Sequence, residues 1–69
     1  MGYKEKDIVY ENGDIWVAKD TKQKLYIVFR ETPSHYSISD SAYRMDEDGL
    51  QLAKWRANYL ARGHHRKTA

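Results

Sequence analysis

The stretch Ser34-His35-Tyr36-Ser37-Ile38-Ser39-Asp40 holds the three side-chain types of a nucleophilic triad. A serine is activated only when a histidine base aims at its hydroxyl and a carboxylate orients that histidine. Adjacent residues of one short segment do not converge in that way. Serines and aspartates in such segments mostly make local turns and caps. The cluster is therefore read as a polar connection, and no catalytic residue is assigned.

His64 and His65, with His35, are the next candidates, as metal ligands. A structural zinc site uses four fixed ligands, and adjacent histidines in a tail do not converge on one ion. The chain contains no cysteine, which removes thiolate sites and disulfides. Asp46, Glu47 and Asp48 are explained by helix capping. The four glycines are dispersed, so there is no phosphate-binding loop. No metal, no cofactor and no enzymatic activity are expected.

The chemistry that remains is charge. All ten Asp and Glu residues precede Gly49, and five Lys and Arg residues follow it. A basic C-terminal region suits the phosphates of a nucleic acid. Lys54, Arg56, Arg62, His64, His65, Arg66 and Lys67 are the candidate contacts. Aromatic side chains supply the second kind of surface. Tyr10, Tyr26 and Arg30 on the sheet, with Leu52, Trp55 and Tyr59 on the helix, are candidate interface residues. They suit a homodimer or another protein partner.

These residues must be positioned by a few elements. Residues 7–32 read as a sheet of three strands. Asn12-Gly13 suits a two-residue turn that pairs Glu11 with Asp14 and Tyr10 with Ile15. A second turn at Asp20-Thr21-Lys22-Gln23 pairs Lys19 with Lys24 and Val17 with Tyr26. Pro33 ends the third strand by removing a donor. Alternation then gives two faces. Val9, Trp16, Ala18, Leu25, Ile27 and Phe29 form the bulkier one, which is taken as the core. Ile8, Tyr10, Ile15, Val17, Lys19, Lys24, Tyr26, Val28 and Arg30 form the other.

Residues 33–45 are a connection, with room for a short fourth strand where Tyr36 and Ile38 alternate with serines. Residues 46–63 are a helix. Asp46 is its N-cap, Met45 and Leu50 stand at hydrophobic-staple spacing, and Gly63 stops it. Gly49 is tolerable in its first turn. Leu50, Ala53, Ala57 and Leu60 form the stripe that faces the sheet. Residues 64–69 are a basic tail. The fold class is thus α+β: a three-stranded antiparallel β-meander packed against one C-terminal α-helix. In layout alone, three strands followed by a helix resembles the small DNA-binding domains at the N-termini of some tyrosine recombinases. That resemblance implies a sheet placed in the major groove, and no site residue is carried over from it.

At 69 residues this is one domain with a marginal core. Surplus apolar surface on so small a chain favours self-association. No apolar run reaches the length of a membrane span, and the expected location is the cytoplasm. Two functions follow: a small nucleic-acid-binding protein, or a homodimeric interaction or regulatory module. On the first reading, deleting residues 64–69 leaves the melting temperature unchanged and weakens binding to generic duplex DNA. Anisotropy titrations across salt should show the slope reduced by about two phosphate contacts, one each for Arg66 and Lys67.

Overall fold

The structure, a computed structural model, describes residues 5–32, 34 and 36–63. A single 3-10 turn, Glu5–Asp7, leads into β1 (Ile8–Asn12), β2 (Ile15–Asp20), β3 (Leu25–Glu31) and β4 (Ser37–Arg44). The helix α1 (Glu47–Ala61) follows. The strands form one antiparallel sheet in the order β1-β2-β3-β4, and α1 packs across one of its faces. The fold is α+β, and the fourth strand is present over eight residues. The serine-rich segment is thus mainly strand rather than loop.

Each turn sits one residue later than the sequence implies, so cross-strand partners move by two. Asn12 pairs with Ile15, so Gly13 and Asp14 are the two turn residues. Gly13 has a φ of +64°, the glycine-first arrangement of a type II′ turn. The second loop, Thr21 to Lys24, separates the pair Asp20 and Leu25. Asp20 organises it: its carboxylate accepts from the backbone N–H groups of Lys22 and Gln23, both at 3.1 Å. Lys24 sits at a φ of +60° to bring the chain back. A shift of two residues preserves side-chain faces, so the division into two faces survives. Ile8 is the exception. A bulge at Val9 sets Ile8 opposite Ala18 and moves it to the other face.

The choice of core face is reversed by the structure. The buried cluster is Ile15, Val17 and Val28 from the sheet with Ala53, Ala57 and Leu60 from α1. Tyr10, Tyr26, Tyr43 and Tyr59 pack around it. The face with Trp16, Leu25, Ile27 and Phe29 lies on the side away from the helix. Bulk alone suggested the opposite. Polar contacts along the helix flanks accompany this choice. The Tyr10 hydroxyl donates to Asn58 Oδ1 at 2.7 Å, and Asn12 Nδ2 donates to the same oxygen at 2.7 Å. Lys54 Nζ lies 5.5 Å from the centre of the Tyr10 ring. On the other flank Arg56 reaches Asp40.

The helix start is built as its residues imply. The Asp46 carboxylate accepts from the Gly49 N–H at 2.7 Å, an N-cap bond to the third helical residue. Gly49 is more than tolerated. It is buried, and a Cβ built on it collides with the backbone carbonyl of Arg44 at the end of β4. That contact sets how tightly the helix turns back under the sheet. At the far end Gly63 has a φ of +95°, and its N–H donates to the Leu60 carbonyl at 2.9 Å. This is the left-handed closure expected of a helix C-terminus.

Two substitutions test this packing in denaturant melts. Leu60, only 2% exposed, should cost about 2–5 kcal/mol when truncated to Ala. Gly49→Ala, a nominally helix-favouring change, should instead destabilise by roughly 3 kcal/mol or more, because the obstructing atom is backbone and cannot rotate away.

Candidate functional site

The triad-like cluster is taken apart by the strand. Ser39 is exposed on the face away from α1, opposite Phe29. Asp40 points to the helix side and holds Arg56. Ser34 is exposed, and His35 lies outside the described residues. Among the described residues no three His, Asp or Glu side chains stand together as metal ligands. No helix among them is long and apolar enough to cross a membrane.

The proposed phosphate contacts separate into three groups. Arg56 is engaged internally: its Nε donates to Asp40 Oδ2 at 2.7 Å and its Nη2 to Oδ1 at 3.1 Å. Asp40 is the extra residue of a bulge in β4, where Val28 pairs with Ser41 and Phe29 with Ser39. The bulge aims the carboxylate at the helix, and the Ser41 hydroxyl donates to it at 2.8 Å. Arg56, one of the expected phosphate contacts, is therefore held by an acid of the same chain. Lys54 is half-buried over the Tyr10 ring, and Arg62 is exposed at the helix C-cap. His64, His65, Arg66 and Lys67 lie outside the described residues.

The guanidinium of Arg56 holds the Asp40 carboxyl below the usual aspartate range, mainly through its hydrogen bonds and against the opposing effect of burial. Ser41 and the charge of Arg30 act in the same direction as Arg56. Asp40 in turn raises Arg56. Sequence reasoning missed this pair because the bulge that turns Asp40 toward the helix has no local signature.

The interface residues also divide. Tyr10 and Tyr26 pack against the core under the helix, and Arg30 is half-buried on that covered face. Their face is not a free surface, which corrects the sheet part of that assignment. Leu52 and Trp55 are 51% and 61% exposed. Trp55 stacks on Tyr59 with ring centres 5.9 Å apart, and Arg56 lies 5.3 Å from the Tyr59 ring centre. Arg56 marks the β4 flank of the helix, while Lys54 and Asn58 mark the β1 flank. At about 100° per residue, Leu52 and Tyr59 therefore stand toward the β4 side.

Among the described residues, no helix packs on the outer face of the sheet, whose apolar side chains are half-buried. Trp16 stacks on Phe29 with centroids 4.4 Å apart and an interplanar angle of 20°. Ile8, Val9, Leu25 and Ile27 extend it. An open groove of about 480 Å³ runs where the large β3 side chains Leu25, Ile27 and Phe29 step down to Ser39 and Ala42 of β4. By register, Glu11, Asp20, Glu31 and Arg44 stand on the margins of this same face. Its border is acidic on balance. A sheet inserted in a major groove would need the opposite sign. Comparison with protein families, curated proteins and solved structures finds no match to this chain.

Arg56→Ala should cost about 1–2 kcal/mol near neutral pH, since the pair is partly solvent-screened, with side chains 32% and 15% exposed. Because the folded-state pKa of Asp40 is lowered, its stabilising contribution is complete above the ordinary aspartate value. It is lost as pH falls through the depressed value. Chemical denaturation near neutral pH and below pH ~3 should therefore show the wild type and Arg56→Ala converging in stability in acid.

Proposed function

We propose that this protein is a non-enzymatic protein-interaction module whose docking surface is the open face of the sheet. The observation that carries this reading is the half-buried apolar face built on stacked Trp16 and Phe29 with Ile27 and Leu25 beside them, on which no other described element packs. Contiguous apolar surface rimmed by polar residues marks interaction sites, and aromatic anchors supply much of their energy. Among the described residues, Glu11, Asp20 and Glu31 outnumber Arg44 on the margin of this face, which gives the margin a net negative charge. It fits an apolar segment flanked by Lys or Arg.

The uneven charge along the chain supports a second reading, nucleic-acid binding through Arg62 and residues 64–67. Two of its helical cations already have intramolecular roles: Arg56 binds Asp40 and Lys54 covers Tyr10. The salt titration of the tail deletion addresses that reading separately.

A photo-crosslinking amino acid at position 27, in cells that make the protein, tests the docking surface. Protein adducts are expected at position 27 and not at exposed Glu47 on the helix side. Phe29→Thr should remove about 2 kcal/mol of docking free energy and most of the adduct. Adducts to nucleic acid alone, or equal yields at positions 27 and 47, would remove this reading.

A further inference from the structure

Strand β4 is a border of the sheet, and its hydrogen-bonding pattern carries an unusual interval. The Thr32 N–H donates to the Tyr36 carbonyl at 2.9 Å, and the Met45 N–H donates to the Lys24 carbonyl at 3.1 Å. Antiparallel ladders alternate pairs that exchange both bonds with pairs that exchange none. Stepping by two from Tyr36 makes Ile38 a residue bonded to β3. Stepping back from Met45 makes Tyr43 and Ser41 bonded residues as well. Ser37, Ser39 and Ala42 therefore turn their backbone N–H and C=O groups away from β3, toward the open border; Arg44 turns its N–H there too, while its carbonyl accepts from the Asp46 N–H at 2.9 Å and lies against Gly49. Because of the bulge at Asp40, Ser39 and Ala42 are separated by three residues where a regular strand has two.

That interval selects the occupant. A regular strand offers its bonding residues at every second position, so it matches only one half of this border. A strand with the same break, running the other way, matches both halves. We propose that β4 pairs antiparallel with β4 of a second copy of this chain, about a two-fold axis between Asp40 and Ser41. In this register Ser39 faces Ala42 of the second copy, and Ser37 faces its Arg44. The Ser39 and Ala42 pairs exchange both bonds and the Arg44 N–H donates to the Ser37 carbonyl, for about six interchain hydrogen bonds in all.

The side chains agree with the backbone. Ser39 and Ala42 both stand on the open face, as shown by their β3 neighbours Phe29 and Ile27. Ile38 and Tyr43 both stand on the helix face and become a cross-strand apolar pair. Asp40 meets Ser41, so no like charges face each other directly. The two Asp40 carboxylates approach the axis with Arg56 already bound to each. Leu52 and Tyr59, on the β4 flank of each helix, add apolar surface beside the seam. The result is a continuous eight-stranded sheet with both helices on one face and both apolar grooves on the other. Ser39 and Ala42 adjoin the groove beside Ile27, but the seam is made by backbone groups of β4 and is read by sedimentation and amide exchange, whereas the docking reading is tested by crosslinking at position 27, so either can fail without the other.

Charge exchange at the exposed positions 39 and 42 tests the register. The wild type should sediment as a dimer at tens of micromolar. Ser39→Lys with Ala42→Lys sets like charges opposite each other twice and should weaken the dimer at least about tenfold. Ser39→Lys with Ala42→Glu sets opposite charges together and should restore it, with both variants folded by circular dichroism. In the wild type the Ser39 and Ala42 amides should be protected from hydrogen exchange. A wild-type monomer throughout that concentration range, two variants that associate equally, or fast exchange at both amides in a dimer would each overturn the proposal. If the charge variants fail to fold, the wild-type amide exchange alone decides.

Discussion

The approach of the helix to the sheet is set by small residues, and most of the molecule follows from it. Gly49 passes beneath the Arg44 carbonyl where no side chain fits, and Ala53 and Ala57 continue the close contact. With only Asp46 and Met45 between strand and helix, α1 must fold back at once along one face. That choice closes the face carrying Ile15, Val17 and Val28 and leaves the face carrying Trp16 and Phe29 open. It also fixes the helix rotation, which presents Asn58 to Tyr10, Arg56 to Asp40 and Trp55 to solvent.

Much of this was legible in the residues. Alternation sorted the sheet into its two faces, and a two-residue shift at each hairpin left that sorting intact. Asp46, the Leu50 stripe and Gly63 defined the helix and its ends. What sequence could not decide was which of two apolar faces the helix covers. Trp16, Leu25, Ile27 and Phe29 are the bulkier set, and area alone favours burying them. The contacts that accompany the covered face join residues nearly fifty positions apart, such as Tyr10 with Asn58. Bulges at Val9 and Asp40 were equally invisible, since one extra residue leaves no compositional trace. Gly49 read as a weak helix residue because its neighbour in space, Arg44, is brought there only by the finished turn.

The charge asymmetry also changes meaning once the pairs are known. The basic C-terminal half looked uncompensated because its acids are distant in sequence. Arg56 is matched by Asp40, sixteen residues earlier, and Lys54 is placed over an aromatic ring. Part of the positive charge thus fastens the helix to the two outer strands, one flank to each. The acidic margin lies on the opposite side of the sheet. The molecule is polar from face to face as well as from end to end.

The two bulges have a consequence for the chain in a crowded cell. Each border strand of the sheet is interrupted, β1 at Val9 and β4 at Asp40. A growing cross-β fibril requires every added strand to continue an unbroken two-residue rhythm. Neither border of this sheet can supply that rhythm over its full length, although the strands are rich in Ile, Val and Tyr. A chain with this much β-forming sequence thereby acquires a defence against templated aggregation that costs one out-of-step residue per border.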